Sequence, residues 1–202
     1  MKRVLLFIFS VLLLTAIIST AVILIMRAND RAAYDAELAA YPIGYVSHVL
    51  EASRTYGVPP DVILSVIRTE SGFEADIKSH AGAIGLMQIM PVSCEWIAFL
   101  RGEECDPEKL TDPAFNIDCG VFMLGWLYRH YENWDTVFAA YNAGYARVNG
   151  WLEDKTVSQD GKLANIPIAE TEAYVKAVNS ARSHYDALYE FGETITPKPY
   201  SY

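Results

Sequence analysis

Residues 61–91 read DVILSVIRTESGFEADIKSHAGAIGLMQIMP, a short apolar helical pattern that ends in a carboxylate and gives way to a glycine-punctuated segment with few charges. Pro59 and Pro60 prevent an earlier start, and Asp61 has the chemistry of a helix cap. Ile63, Val66, Ile67 and Glu70 recur at spacings of three and four, which predicts that Glu70 lies on the apolar face. A carboxyl group placed there loses hydration, and at a last helical turn it meets the negative end of the macrodipole. Both effects raise its proton affinity. A carboxyl that keeps its proton near neutral pH, beside a Gly72 where the chain turns away, suits a general acid.

The residues that follow strengthen this reading. Gly82, Gly85 and the run Leu86, Met87, Gln88, Ile89, Met90, Pro91 hold one uncharged hydrogen-bonding side chain where a solvated loop would carry several charges. Such a segment reads as a wall. Glu74 and Asp76, after Gly72, sit in a polar turn and read as solvated.

On the N-terminal side, Val46, Val49, Leu50, Ser53 and Tyr56 trace a packing helix that Gly57 stops. On the C-terminal side, Pro91 opens a helix anchored by Trp96 and ending at Gly102. Asp112 and Pro113 start the best core helix, with Ile117, Val121, Leu124, Tyr128 and Tyr131 on one face. Asp135 starts another, which Asn142, Ala143 and Gly144 end. Residues 155–168 read as a polar connection. A last helix runs from about Ala169 to Glu190 and is closed by Gly192, leaving residues 193–202 as a flexible tail. No alternating run appears, so the fold class is mainly α, with the globular domain over residues 43–192.

Val4 to Met26 is a run of 23 residues without a charge, flanked by Lys2 and Arg3 and by Arg27. Its length crosses a bilayer, whereas the apolar part of a cleavable signal is about 7 to 15 residues. Residues 1–27 therefore read as a single transmembrane anchor, residues 28–42 as an alanine-rich helical stalk, and the positive-inside tendency places the domain outside the cytoplasm. A long signal peptide cut near Ala21 or Ala28 is the alternative, and it too leaves the domain outside.

The net charge of −9, without a basic cluster, argues against a nucleic-acid partner and for a neutral or weakly charged substrate. Of three cysteines, Cys94 and Cys105 are the first choice for a disulfide outside the cell, because Gly102 lets the chain double back between them. The cysteine spacing matches no zinc template and His48, His80, His130 and His184 are scattered, so neither metal nor cofactor is expected. G-x-S-x-G, H-E-x-x-H and the P-loop do not occur. Acid chemistry centres on Glu70.

Five blocks, in order, carry a resemblance: Glu70-Ser71-Gly72-Phe73; Ser79 with Gly82-Ala83-Ile84-Gly85-Leu86-Met87-Gln88-Ile89-Met90-Pro91; Asn116-Ile117 with Gly120; Ala140-Tyr141-Asn142-Ala143-Gly144; and Ile166-Pro167 with Glu170-Thr171 and Tyr174-Val175. Together, over about Val46 to Tyr189, the chain resembles the soluble lytic transglycosylase catalytic domain. The resemblance implies a lysozyme-like helical fold. It also implies cleavage of the β-1,4 bond between N-acetylmuramic acid and N-acetylglucosamine in peptidoglycan, leaving a 1,6-anhydromuramyl end.

By the same resemblance Glu70 is the catalytic acid. Ser79, Met87 and Gln88 line the cleft, Tyr141 and Asn142 face it from the opposite wall, and Glu170 and Tyr174 belong to a further motif there. Tyr141 is expected to hydrogen-bond near Glu70. The sugar supplies the attacking hydroxyl, so no second carboxylate is required, unlike in most glycosidases. Two alternatives stand beside this one: a hydrolase resembling goose-type lysozyme with Asp76 as base, and an idle glycan-binding scaffold module. The segment between Cys94 and Cys105, and His80 after Ser79, depart from the family's plain pattern.

Overall fold

The computed structural model describes residues 2–200, and the chain there runs mainly through helices that gather into two units. The first unit is built on α1 (Lys2–Ala40), one unbroken helix with no buried residue. Its apolar run, residues 4–26, is about 35 Å long at 1.5 Å per residue, enough for a hydrocarbon core of ~30 Å. The expected anchor and stalk are thus one continuous helix. Met1 of the anchor and the last two residues of the tail lie outside the described residues.

The second unit, Ile43–Pro197, is built from α2 (Val46–Tyr56), α3 (Pro60–Ser71), α4 (Pro91–Arg101), α5 (Pro113–Tyr131), α6 (Trp134–Ala143), α7 (Tyr145–Glu153) and α8 (Ala169–Leu188). Its helices follow their breakers. Gly57, Gly72 and Gly102 end α2, α3 and α4 in the left-handed conformation, and Asp112 caps α5 by accepting from the Phe115 N–H. α3 packs across α8, α2 against α5, and α6 lies between α5 and α8. Ile63, Leu64, Ile67, Leu86, Ile117, Leu124, Phe138 and Tyr185 fill the core. Cys94 and Cys105 are joined by a disulfide around the Gly102 turn, and Cys119 is a buried free thiol.

Several expectations are corrected. Asp61 does not cap α3. Pro60 occupies the first helical position, where its missing N–H is not needed, and Asp61 accepts from Arg182 Nε of α8 at 2.6 Å instead. Asn133, one residue ahead of Trp134, caps α6 in place of Asp135, accepting from the Thr136 N–H at 3.0 Å. The polar connection contains a small hairpin, β1 (Ser158–Gln159) with β2 (Lys162–Leu163), and the short helix α7 precedes it.

The tail departs furthest from expectation. Tyr189–Phe191 (β3) pairs antiparallel with Ile195–Pro197 (β4), so α8 ends at Leu188 and Gly192 serves the hairpin turn. Ile195 and Tyr189 are buried, and that burial holds residues 193–197 in the domain.

Candidate active site

α3 delivers Glu70 in its last turn, and Gly72, at φ +59°, turns the chain away immediately afterwards. Tyr174, in the second turn of α8, donates its hydroxyl to Glu70 Oε1 at 2.7 Å. Burial pushes the Glu70 carboxyl up to about 7, while the Tyr174 hydrogen bond, which favours the ionised form, pulls the other way. Burial outweighs the bond. The carboxyl therefore exchanges its proton in the middle of the physiological range. Burial, and secondarily the Glu70 charge, hold the Tyr174 and Tyr141 hydroxyls well above the ordinary tyrosine value, so both remain neutral donors.

Two long-range contacts fix this pair. The Asp61–Arg182 ion pair joins the first turn of α3 to α8 with both side chains at least two-thirds buried, setting the register that aligns Glu70 with Tyr174. The Ser71 hydroxyl, buried directly after Glu70, lies 2.8 Å from the Leu86 carbonyl, to which it donates, and accepts from the Phe73 N–H at 3.2 Å. The helix end is thereby tied to the segment that faces it.

That segment, residues 72–90, has almost no regular structure, and its buried carbonyls from Ile84 to Met87 each accept a hydrogen bond. Ile84 and Ile89 exchange backbone hydrogen bonds at 3.0 Å, and Gln88, left-handed at φ +49°, donates Nε2 to the Gly85 carbonyl at 2.9 Å. Asn116, fully buried in the first turn of α5, is the main pin. Its Oδ1 accepts from the Met87 N–H at 2.7 Å, and its Nδ2 donates to the Ile84 and Leu110 carbonyls, each at 2.8 Å. Glycine is required beside it. A Cβ on Gly85 would lie 2.4 Å from Asn116 Nδ2, and one on Gly120 would lie 2.4 Å from Met87 Sδ.

Glu70, Met87, Tyr141 and Tyr174 are brought together by these elements, with two differences from the sequence reading. Tyr141 donates to the Met87 carbonyl at 2.8 Å, and Tyr174 is the residue that holds Glu70, because the α3–α8 packing puts the second tyrosine opposite the carboxyl. Met87 is fully buried with its sulfur against Gly120, so it supports the segment from beneath. Glu170 is exposed, a turn before Tyr174 on α8.

The remaining expected residues lie around that centre. The Ser79 hydroxyl accepts from the Ala83 N–H at 3.0 Å and closes the turn there, and exposed Asn142 accepts from Thr171 Oγ1 at 2.8 Å. Glu74 and Asp76 are exposed. Sequence reading gave no role to Asn116, Ser71 or Arg182. Ser71 and Asn116 stand in the blocks that carry the resemblance, which marks their positions without saying what they bond; Arg182 has no such signal.

A family model described as the transglycosylase SLT domain matches residues 47–164. The soluble lytic murein transglycosylase of Escherichia coli K12 is 33% identical over 157 residues, covering 75% of this chain and 24% of its own length. The membrane-bound lytic murein transglycosylase C of Salmonella paratyphi B is 35% identical over 165 residues, covering 70% of this chain and 46% of its own. Among solved structures, the 70 kDa soluble lytic transglycosylase of Escherichia coli superposes with a TM-score of 0.69 at 29% identity, over 77% of this chain and 26% of that one. A complex of a 70 kDa soluble lytic transglycosylase with bulgecin A superposes with the same TM-score of 0.69 at 29% identity. This chain thus spans between about a quarter and a half of the length of these relatives.

Proposed function

Since this chain belongs to the SLT transglycosylase family, we propose that it is a peptidoglycan lytic transglycosylase held at the membrane by α1, with Glu70 as its single acid–base residue. The observation that carries the reading is the Glu70 carboxyl itself: buried enough to keep a proton up to about pH 7, and oriented by the Tyr174 hydroxyl at 2.7 Å.

The chemistry follows from one proton. Neutral Glu70 donates it to the oxygen bridging N-acetylmuramic acid to N-acetylglucosamine as the bond from that oxygen to C1 breaks. Charge develops on the muramyl ring, and the carboxylate left behind is stabilised by the Tyr174 donor. The muramyl 6-hydroxyl then closes on C1 and returns its proton to Glu70. No water is consumed, and the residue ends as it began. A hydrolytic route would need a base to activate water, and Glu74 and Asp76 stand exposed on the polar turn after Gly72. Ser79, Gln88, Tyr141 and Asn142 are proposed to border the bound sugar, and Glu170 to lie at the rim.

The uncharged run Val4 to Met26, with Lys2 and Arg3 ahead of it, supports a single-pass anchor with the domain outside the cytoplasm. A periplasm-dependent reporter fused after Tyr202 is expected to be active, and an inactive one overturns that topology.

The central test is mass spectrometry of purified peptidoglycan digested by the wild-type protein and by Glu70→Gln. Ends lacking one water relative to reducing ends are expected from the first. The second is expected to be slower by about a thousandfold or more. Reducing ends, or undiminished cleavage by the variant, would remove the proposal. The rate at limiting substrate should also fall as pH rises through about 7, because the acid form is the one that starts the reaction.

A further inference from the structure

Away from Glu70, three helices converge on a group of aromatic rings to which no role has so far been given. Trp96 of α4 meets Trp126 of α5 edge-to-face with centroids 4.8 Å apart, and Trp126 meets Tyr145 of α7 in the same way at 4.9 Å. His130, one turn along α5, stacks within 8° of parallel to Trp126 at 6.0 Å. The rings are not core: His130 is exposed, and Trp96, Trp126 and Tyr145 are each partly open to solvent. The surrounding face is open as well, since Val92 and Phe99, a turn either side of Trp96, are 65% and 81% exposed. Hydrogen-bonding groups stand at its rim, with the Tyr145 hydroxyl 3.3 Å from His130 Nε2 and the Tyr131 hydroxyl donating to Asn149 Oδ1 at 2.9 Å.

Two of the helices that carry these rings, α4 and α5, leave or touch the Met87 segment, and the third, α7, follows directly on α6, which touches it. α4 begins directly after Met90, Met123 and Trp126 follow Gly120 along α5 in steps of three, and Tyr145 stands four residues after the Tyr141 that holds the Met87 carbonyl. Six residues of helix separate Trp126 from Gly120 by about 9 Å along the axis. Along α5 the patch therefore lies a short step from the residue that backs Met87.

We infer that Trp96, Trp126, Tyr145 and His130 form a glycan-binding platform that seats sugar rings of the strand beyond the bond cut at Glu70. Pyranose rings present an apolar face of C–H groups whose partial positive charge matches the negative face of an indole or phenol ring. Their hydroxyl and N-acetyl groups find hydrogen-bond partners at the rim. An acidic domain has little to offer an anion, so the uncharged N-acetylglucosamine rings of the strand, and not the carboxylate-bearing muramyl ones, suit the aromatic faces. The inference rests on the transglycosylase reading and deepens it, giving the strand a direction across the domain towards α4 and α7.

The test uses the full chain as Glu70→Gln in detergent, with peptide-free, uncrosslinked peptidoglycan strands as the probe. Two-dimensional NMR of the indole N–H groups is expected to show Trp96 and Trp126 moving on titration while Trp151 stays still. Trp96→Leu, made in the same background, should weaken strand binding by roughly tenfold, and Trp96→Phe, which keeps a ring, should restore most of it. Indole signals that ignore the strands overturn the inference, as do Leu and Phe variants that bind as tightly as each other. Signals that move with lipid vesicles and not with strands overturn it in favour of a membrane-facing surface. Failure of the underlying reading looks different, since it shows as cleavage surviving in Glu70→Gln. Failure of the platform alone leaves that cleavage abolished while the two indoles do not respond.

Discussion

Two stretches of this domain lack long regular elements, and they solve the same problem in opposite ways. Residues 72–90, between α3 and α4, are buried along Ile84 to Ile89 and satisfied by side chains from far along the chain: Ser71, Asn116 and Tyr141. Residues 154–168, between α7 and α8, are mostly at the surface and satisfied locally. There Asp154 accepts from Thr156, Ser158 donates to the Leu152 carbonyl, and β1 and β2 pair across the turn at Asp160 and Gly161. A buried irregular backbone must import its hydrogen-bond partners, because water cannot supply them. Such importing makes the first stretch rigid, and it is the stretch beside Glu70. The contrast predicts that matched changes in the two will differ in size.

The largest expected effect is at Asn116. Asn116→Leu keeps the volume and removes the partners of the Met87 N–H and the Ile84 and Leu110 carbonyls at once. The Met87 N–H and the Leu110 carbonyl are then left unpaired, the Ile84 carbonyl keeps only the Ile89 N–H, and the loss should be about 2–5 kcal/mol. Denaturant unfolding of the full chain in detergent, followed by near-ultraviolet circular dichroism, measures it. A loss below 1 kcal/mol would mean that water reaches the segment and that its rigidity has been misattributed.

Next comes Gly85→Ala. The left-handed φ of +78° and the approach of Asn116 Nδ2 and the Leu110 carbonyl to 2.4 Å from the new Cβ act together. Strain and overpacking should destabilise by about 3 kcal/mol, and because the displaced atoms hold the Met87 segment, peptidoglycan cleavage should fall with stability. A stable Gly85→Ala protein with normal cleavage would break the link between this wall and the chemistry.

The third effect is electrostatic and has a defined sign. An ordinary glutamate titrates near 4.5, and folded Glu70 near 7. Between those values the folded chain binds the proton more tightly than the unfolded chain does, so stability declines as pH rises through that window and stays low above it. Glu70→Gln cannot ionise and should lose that slope. After discounting for its partial contact with solvent, the variant should gain on the order of 2 kcal/mol over wild type between pH 4 and pH 8. Tyr174→Phe removes a bond that favours the charged form, so the descending limb of the rate profile should move to higher pH. Unfolding curves at the two pH values check the first, and the pH dependence of initial rates checks the second.

What could be read in advance divides along the same line. Gly57 and Gly102 as stops, Asp112-Pro113 as a start, and Glu70 on an inward stripe are local patterns, and the structure contains each of them. The role of Asn116 was not legible, because its three bonds run to residues 6, 29 and 32 positions away. Which tyrosine meets Glu70 was equally hidden. Tyr141 and Tyr174 both sit on inward faces, and only the α3–α8 packing, locked by Asp61 and Arg182, selects the second. α7 was missed because Gly144, at φ +93°, ends one helix and begins the next within a single residue, so a stop signal concealed a start. Pro197 and Pro199 conceal the hairpin at Ile195, because a proline at a strand end is tolerated when its edge is unpaired.

The smallest effect completes the comparison. Gly161, in the turn between β1 and β2, has φ +74°, nearly the value at Gly85, but nothing lies within 4 Å of where its Cβ would be. Gly161→Ala therefore meets the same backbone penalty without the collision, and part of that penalty is offset because alanine also restricts the unfolded chain. The net loss should be about 1 kcal/mol or less, with cleavage of peptidoglycan strands unchanged. Run in parallel, the two alanine variants separate conformation from surroundings: the backbone contribution is common to both, so the excess at Gly85 reports the buried contacts alone. Equal losses at the two positions would mean that the wall beside Glu70 yields as readily as a surface turn, and its fixed geometry would then have to come from bound substrate instead of from the fold.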